Sequence, residues 1–151
     1  MAIGHWSLPR DCVSLPREIG WLAKRRRRNS GSVTSYGLED RLVRFGTTAC
    51  QLGNRLPRTP LGQHVALQLA RSSTSTFANY GEVQSAESRR DFIHKLGICL
   101  KELRETCTWL KFIKKMTLLP TESVDPVLRE CDELLAILST SIRTARANAR
   151  E

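Results

Sequence analysis

Apolar residues recur at alternating steps of three and four along much of this 151-residue chain. This spacing puts them on one face of an α-helix and is typical of helices that pack in a bundle. The first stripe consists of Leu42, Phe45, Ala49, Leu52 and Leu56. It predicts a helix from about Glu39 to Leu56, which the prolines at positions 57 and 60 end.

Two similar stripes lie in the second half of the chain. They consist of Phe92, Leu96, Cys99, Leu103, Thr106, Leu110 and Ile113, and of Leu128, Cys131, Leu135, Leu138, Ile142 and Ala145. Ser88 and Asp91 have the spacing of a helix-capping box, so the first of these helices is expected to cover residues 89–115. Asp125-Pro126 suits the cap and first residue of the second, and the last six residues of the chain are expected to fray.

A segment rich in hydroxyl residues lies before these stripes, from Arg71 to Glu82. Its composition alone predicts a loop, because Ser and Thr side chains compete for backbone hydrogen bonds. However, Leu61, Val65, Leu69, Ser72, Thr76 and Tyr80 keep the helical spacing. We therefore predict a helix from Pro60, capped by Thr59, to about Val83. Its small hydroxyl groups allow a neighbouring helix to approach closely, and carbonyls one turn back satisfy them.

Four amphipathic helices with short connections predict an all-α fold, an antiparallel up-down-up-down four-helix bundle over residues 38–151. The low aromatic content of 6% agrees with a core of Leu, Ile, Val and Ala. No apolar run reaches the roughly 18 residues that span a membrane, and charges and prolines interrupt the first 21 residues. We therefore expect neither a membrane partner nor a secretory signal, and we predict a cytoplasmic protein.

Residues 1–37 lack sustained periodicity and are rich in helix breakers, so we expect a disordered extension that is dispensable for folding. The whole chain has a net charge of +9, and the extension, with seven Lys/Arg and two Asp/Glu, carries more than half of it. Five consecutive cations, Lys24 to Arg28, are typical either of a nucleic-acid tether or of a solvated tail. Upstream sequence added by a misassigned start is a third interpretation.

The remaining excess of positive charge is concentrated on the predicted third helix. Residues 88–115 contain eight Lys/Arg and three Asp/Glu, whereas the rest of the bundle is close to neutral. On a helical wheel, one sector that faces away from the core gathers Arg90, Lys101, Arg104, Lys111 and Lys115. These residues are either a solvated face or a row that follows the phosphates of RNA or DNA. Because no aromatic residue interleaves with them, we expect contacts to phosphate rather than base stacking.

Another sector of the same helix mixes apolar bulk with acids. It contains Ile98, Glu102, Glu105, Trp109 and Phe112. Such a mixed patch is typical of a subunit interface. The alternative is a wide core face from which the glutamates reach solvent. In an oligomer, the glutamates are expected to meet an arginine such as Arg71, within or across subunits.

A polar stripe follows the second helix. It consists of Arg71, Ser75, Asn79 and Glu82. We interpret these residues as buried hydrogen-bonding groups that fix the register of the helix. A binding site is the alternative.

The sequence contains no pattern typical of catalysis or metal binding. It has no Gly-x-Ser-x-Gly, no phosphate-binding glycine loop and no His-Glu-x-x-His. Asp91-x-x-His94 resembles half of a di-metal motif of helical bundles, but no second copy is present. The five cysteines are an odd number without a Cys-x-x-Cys, which favours buried, reduced thiols. We therefore expect a protein that is not an enzyme and that uses no cofactor or metal.

Part of the chain resembles a known protein family. The resemblance rests on the run RSSTSTFANYGEVQSAESRRDFIHKL, followed by KELRETCTWLKFI. The shared features are Arg-Ser…Ser, Ala-Asn-Tyr-x-Glu, Ser-x-x-Asp-Phe and Lys-Glu-Leu-x-Glu…Trp-Leu. Together they are similar to the small four-helix bundles named for the 23S rRNA intervening-sequence protein. The resemblance covers roughly Leu38 to Ala147, although Gly81 and Val83 stand where small alanines are usual.

This family includes relatives of the accessory protein of diversity-generating retroelements. The resemblance therefore implies a ring-shaped homopentamer and a reverse transcriptase as a partner. Taken with the charge pattern, it predicts a helical homo-oligomer that binds RNA or DNA, a nucleic-acid enzyme, or both. The alternative is a protein–protein scaffold without a nucleic-acid role, and salt-dependent binding to nucleic acid distinguishes the two.

Overall fold

The computed structural model of the protein describes residues 35–147, which form four α-helices and no strand. They are α1 (Ser35–Gly53), α2 (Pro60–Gln84), α3 (Arg89–Lys115) and α4 (Thr121–Ala147). Each helix packs antiparallel against the next, and a smaller contact between α1 and α4 closes the bundle. The predicted four-helix bundle is therefore confirmed.

The core lies where the predicted apolar stripes meet. Its fully buried side chains include Leu42, Leu69, Leu96, Leu103, Leu110 and Leu138. Some predicted stripe residues lie nearer the rim, because Phe92, Leu128 and Leu135 are only partly buried and Leu61 is exposed. On α4, Leu134 is fully buried in place of Leu135. This helix packs against both α1 and α3, so its buried face is wider than a single stripe.

The hydroxyl-rich part of α2 is buried and packs directly against α3. Ser72, Ser73, Thr76 and Thr106 are fully buried. Thr76 Oγ1 donates to the Ser72 carbonyl at 2.9 Å, and Ser73 Oγ donates to the Ala70 carbonyl at 3.2 Å. The hydroxyl oxygens of Ser72 and Thr106 lie 2.9 Å apart across the two helices. The prediction of a buried helix whose hydroxyl groups bond carbonyls one turn back is confirmed.

The predicted N-caps of α2 and α3 are formed. The backbone N–H of Gly62 donates to Thr59 Oγ1 at 3.1 Å, and that of Asp91 donates to Ser88 Oγ at 3.1 Å. Asp91 Oδ2 accepts in turn from the N–H of Glu87 at 3.1 Å. In a capping box with glutamate, the carboxylate bonds the N–H of the cap residue itself. Here the Asp91 carboxylate accepts instead from the N–H of Glu87, the residue before the cap Ser88.

The first helix begins and ends earlier than its stripe predicts. α1 starts at Ser35, so residues 35–37 are helical although we assigned them to the extension, and it ends at Gly53. Turns then continue the chain to Leu56, whose side chain is buried. This buried residue keeps the apolar spacing beyond the helix, which explains the predicted end. The rest of the extension, including Lys24 to Arg28, lies outside the described residues.

The last helix begins four residues before its predicted cap. α4 starts at Thr121, and Pro126 lies inside it. The carboxylate of Asp125 does not cap α4 but forms an ion pair with Lys114 of α3 at 2.6 Å. Pro126 lies beyond the first turn of α4, so its missing N–H removes one backbone hydrogen bond, the one to the Glu122 carbonyl.

Replacing Asp91 by asparagine is expected to lower the Tm at neutral pH. The hydrogen bond from Lys95, and then the one from the Glu87 N–H, lowers the pKa of the Asp91 carboxyl below its usual value of 3.8. A depressed pKa in the folded state stabilises the protein above the unfolded pKa, and this contribution is lost as the pH falls through the folded pKa. The Tm difference between Asp91→Asn and the wild type should therefore be largest near neutral pH and shrink below pH 3.8.

Thermal melts over an acidic pH series measure this difference. Glu122→Gln, which changes an exposed carboxylate of α4 without an ion pair to a described residue, is the control and should shift the Tm little. A deficit for Asp91→Asn that persisted unchanged well below pH 3.8 would contradict the electrostatic origin.

Candidate functional site

The basic face of α3, defined by Arg90, Lys101, Arg104, Lys111 and Lys115, consists of exposed residues only. None of these five side chains forms an ion pair with another described residue. The face extends along nearly the whole helix, about 37 Å at a rise of 1.5 Å per residue. These charges are therefore available to a ligand.

Two other lysines of α3 are neutralised. Lys95 pairs with Asp91 one turn away at 3.0 Å, and Lys114 pairs with Asp125 of α4 at 2.6 Å. On the helical wheel Lys114 lies about 100° from the centre of the basic face, and Lys95 lies about 160° from it, close to the core side of α3. The paired lysines of α3 are therefore outside the basic face.

Lys111 has a different environment from the rest of the basic face. The hydrogen bond with the Cys107 thiol is the main reason why the pKa of Lys111 is raised, and the carboxylate of Asp132 on α4 raises it further. Cys107 Sγ lies 3.5 Å from Asp132 Oδ1, and burial raises the pKa of this thiol. Negative charge is therefore present beside the C-terminal half of the basic face.

The mixed patch, defined by Ile98, Glu102, Glu105, Trp109 and Phe112, joins the outer side of α3 to α2. Trp109 packs edge-on against Phe112 and against His64 of α2, with ring centroids 5.9 and 5.8 Å apart. Its Nε1 lies 3.4 Å from Glu105 Oε1. Both the Trp109 and the Phe112 side chains pack on the core, whereas Ile98 is 37% exposed. The aromatic end of the patch therefore extends the core, and the Ile98 end is open.

Arg71 does not pair with the glutamates of the mixed patch within this chain. Its side chain is exposed and forms no ion pair with a described residue. Glu102 and Glu105 are half-buried and likewise have no ion-pair partner between residues 35 and 147. The expected pairing within the subunit is thus wrong, and a pairing across subunits stays a prediction.

The interpretation of the polar stripe as buried groups is also wrong. Arg71 and Glu82 are exposed, and Ser75 and Asn79 are half-buried. Asn79 Nδ2 donates to the Ser75 carbonyl at 2.8 Å, which is a bond within one helix and fixes no register between helices. The stripe is offset by one residue, or about 100° on the helix, from the buried hydroxyl positions that do contact α3.

The thiols inside the bundle are structural. Burial raises the pKa of Cys99 to about 12 and also raises that of Cys131. The Cys99 thiol donates to the Thr76 carbonyl at 3.1 Å, and the Cys131 thiol to the Leu103 carbonyl at 3.6 Å. Because the thiolate is the reactive form, neither group is a nucleophile at neutral pH.

Residues 35–147 contain neither a metal-binding cluster nor a membrane-spanning helix. No group of three or more His, Cys, Asp or Glu side chains in that range comes together in a way that could hold a metal ion. None of its helices is long and apolar enough to cross a membrane.

The sequence analysis did not predict one polar cluster, which links α1 to α4. Arg41 donates to both carboxylate oxygens of Glu130, at 2.6 and 2.8 Å, and also contacts Glu133. These hydrogen bonds raise the pKa of the Arg41 guanidinium. The two ends of this ion pair are 89 residues apart, so the periodicity of a single helix contains no signal for it. Its position, where α1 and α4 share only a small contact, indicates a structural role.

Comparison with known proteins places this bundle in a family. The sequence pattern of the 23S rRNA-intervening sequence protein family matches residues 41–140. The chain belongs to this family. The match runs from the first half of α1 to the second half of α4, so the 23S rRNA-intervening sequence protein family accounts for all four helices and for the whole of α3.

A solved structure with the same fold is a protein of unknown function from the S23 ribosomal protein family of Bacteroides thetaiotaomicron VPI-5482. It has a TM-score of 0.65 and 30% sequence identity, and the alignment covers 70% of this chain and 97% of that chain. No curated protein matches the chain. The resemblance noted in the sequence is therefore confirmed for the 23S rRNA-intervening sequence protein family.

Proposed function

We propose that this protein is a non-enzymatic oligomer that binds RNA or DNA through the basic face of α3. The observation that carries this proposal is the exposure of five cations on that face without ion pairs to described residues, whereas Lys95 and Lys114, which lie outside it, are neutralised. A row of free cations on a rigid helix neutralises phosphates and releases their counterions. The name of the family refers to 23S rRNA, which agrees with a role close to RNA.

The chemistry of the basic face favours phosphates over bases. The large hydrophobic side chains that are exposed in the described chain are aliphatic, namely Val43, Leu61, Leu67, Ile98 and Met116. The aromatic rings on the neighbouring sector of α3, Trp109 and Phe112, pack against each other and on the core. Among residues 37–147 the exposed rings are only the two separate imidazoles of His64 and His94, so binding should depend mainly on phosphates and be weakly sequence-specific.

The mixed patch supports an oligomer. Ile98 is open to solvent beside two half-buried glutamates without ion-pair partners, and Arg71 of α2 is exposed and also unpaired among the described residues. A contact between copies would bury Ile98 and pair these charges. A homopentamer is the form that agrees with the resemblance to ring-forming relatives. Such a ring would repeat the basic face and raise its avidity for nucleic acid.

The retroelement resemblance adds a candidate partner. A cytoplasmic ring that presents the basic face several times could hold a nucleic acid for an enzyme that acts on it. A reverse transcriptase is the enzyme that this resemblance suggests.

Replacing both Lys101 and Lys111 by glutamate is expected to abolish binding to RNA and DNA without unfolding the protein, because both side chains are exposed. In anisotropy titrations, the wild type should lose affinity steeply with salt. Each phosphate neutralised adds about 0.9 to the log–log slope on duplex DNA and about 0.7 on single strands. The titrations compare the full chain with a chain that lacks residues 1–34, because the cations outside the bundle also attract phosphate.

Arg58→Glu with Arg129→Glu is the matched control, because it changes the net charge equally at exposed positions outside α3. An equal loss in the control would show attraction by net charge rather than by the basic face. If the chain without residues 1–34 shows no salt-sensitive binding, the basic face is a solvated surface. The function is then that of a protein–protein scaffold.

A further inference from the structure

Gly97 lies in the middle of α3, and the packing of the chain does not require a glycine there. A Cβ built at Gly97 meets no atom within 4 Å. By contrast, a Cβ at Gly46 would lie 2.8 Å from the ring of Phe77, and one at Gly62 would lie 2.0 Å from the Pro57 carbonyl oxygen. A glycine inside a helix destabilises it relative to alanine. Nothing inside the fold offsets this cost at Gly97.

The position of Gly97 on the helix is informative. On the helical wheel it falls on the basic face, among Arg90, Lys101 and Arg104. Removing a Cβ there opens the helix backbone to close approach from outside, between three unpaired cations. A nucleic-acid strand fits such an opening, because a sugar of its backbone can approach the helix at Gly97 while the neighbouring phosphates contact the cations.

One stripe of charged residues on α4 faces this side of α3. Asp125 pairs with Lys114, and Asp132 contacts Cys107, so two acids of this stripe touch α3 in the same antiparallel register. Arg143 follows Asp125 by 18 residues, which is five whole turns at 3.6 residues per turn. It therefore lies on the same stripe. The antiparallel register of the contacts of Asp125 and Asp132 places Arg143 level with Gly97.

The two ends of this stripe have opposite charge. Asp125 and Asp132 offset the lysines of the C-terminal half of α3. Near Gly97 the stripe supplies Arg143 instead, and α4 contains no acidic residue from position 134 to its end at 147. Arg143 is exposed and forms no ion pair with a described residue, with only a 3.4 Å contact to Thr140 Oγ1. Positive charge is therefore uncompensated at this end of the groove between α3 and α4.

We infer, on the basis of the proposed function, that the nucleic-acid site is centred on Gly97 and that Arg143 of α4 belongs to it together with Arg90, Lys101 and Arg104. The ligand is the sugar–phosphate backbone of a duplex, because the site offers cations and an open helix backbone. Stacking of successive unpaired bases needs several exposed rings, and the imidazole of His94 is the one exposed ring among the described residues of α3. Lys111, which neighbours Asp132, lies at the edge of this site.

Two alanine substitutions separate the site from the fold. Gly97→Ala and Gly81→Ala each fill a helical position where a Cβ meets no atom within 4 Å, so both should raise the Tm by a few degrees. Gly81 is the control because it lies on α2, one turn after Phe77. The Phe77 ring faces Gly46 of α1, so this side of α2 is away from the basic face of α3. With the full chain and labelled RNA and DNA duplexes of one sequence, Gly97→Ala should weaken binding about tenfold. Gly81→Ala should bind like the wild type.

Arg143→Gln tests the contribution of α4. If Arg143 neutralises one phosphate, its loss lowers the salt slope on duplex DNA by about 0.9. Arg129→Gln removes another exposed arginine of α4 that lies well away from the level of Gly97, and it should leave the slope unchanged.

The outcomes distinguish this site from the function on which it rests. Wild-type affinity in both Gly97→Ala and Arg143→Gln, in a protein that binds duplexes with salt dependence, would overturn the site and leave the proposed function standing. Absence of binding by the wild type would overturn both. Tighter binding of the matching single strand than of the duplex would overturn the assignment of the ligand. A changed mass of Gly97→Ala in light scattering, with unchanged duplex binding, would overturn the site by assigning this face to a contact between copies.

Discussion

Leucine in place of Ser72 is expected to lower the free energy of unfolding by about 3 kcal/mol and the Tm by on the order of 10 °C. Ser72 is fully buried where α2 meets α3, with its Oγ 2.9 Å from Thr106 Oγ1. The two helices touch here through hydroxyl groups, so a larger side chain must move a helix or take up a strained rotamer. Leucine also removes a partner of the Thr106 hydroxyl, which keeps only the Glu102 carbonyl at 3.0 Å.

Two further variants identify the cause of this loss. Ser75→Leu makes the same change one turn later, at a half-buried position outside the core, and its Tm should stay close to the wild type. Ser72→Ala removes the hydroxyl without adding bulk and should cost about 1 kcal/mol. Thermal and denaturant unfolding measure all three. Equal stability of Ser72→Leu and Ser75→Leu would show that the helices do not pack tightly at Ser72.

The same serine illustrates how much of the fold the sequence could predict. Composition alone assigns Ser72 to a loop, but its spacing from Leu69 and Thr76 assigns it to a buried helical stripe, and burial follows the spacing. Local signals also placed α3 correctly, because the cap at Ser88 depends on residues close in sequence. The predicted start of α4 is wrong because Asp125 does not cap the helix. Its carboxylate pairs with Lys114 of another helix, and this contact cannot be read from the residues near Asp125 in sequence.

The candidate site also has features that one helix alone predicts and features that depend on contacts between helices. The exposure of the basic face could be predicted, since the sector of a residue depends only on its position along one helix. The burial expected for the polar stripe is wrong because the stripe is turned by about 100° from the buried positions of α2. Arg143 and its level beside Gly97 could not be predicted. They depend on the register between α3 and α4, which the contacts of Asp125 and Asp132 reveal only in the folded protein.

Glutamate in place of Ile98 is expected to convert the proposed oligomer into monomers. Ile98 is 37% exposed and is not among the residues packed on the core, so the folded subunit should tolerate the change. A contact between copies should not tolerate this change. A buried carboxylate without a partner loses its hydration, and Glu102 and Glu105 add like charge nearby. A penalty of about 4 kcal/mol weakens association about a thousandfold.

Trp109→Glu should also produce smaller species, but Ile98→Glu gives the clearer result. Trp109 packs against His64 and Phe112 inside the subunit, so a charge at Trp109 also lowers the stability of the monomer. Val43→Glu is the matched control, because Val43 is 40% exposed and lies on α1, away from the mixed patch. Light scattering at micromolar concentration should give a multiple of the subunit mass for the wild type and for Val43→Glu, and the subunit mass for Ile98→Glu. A wild type with the mass of one subunit would refute the oligomer, and dissociation of Val43→Glu as well would place the contact outside the mixed patch.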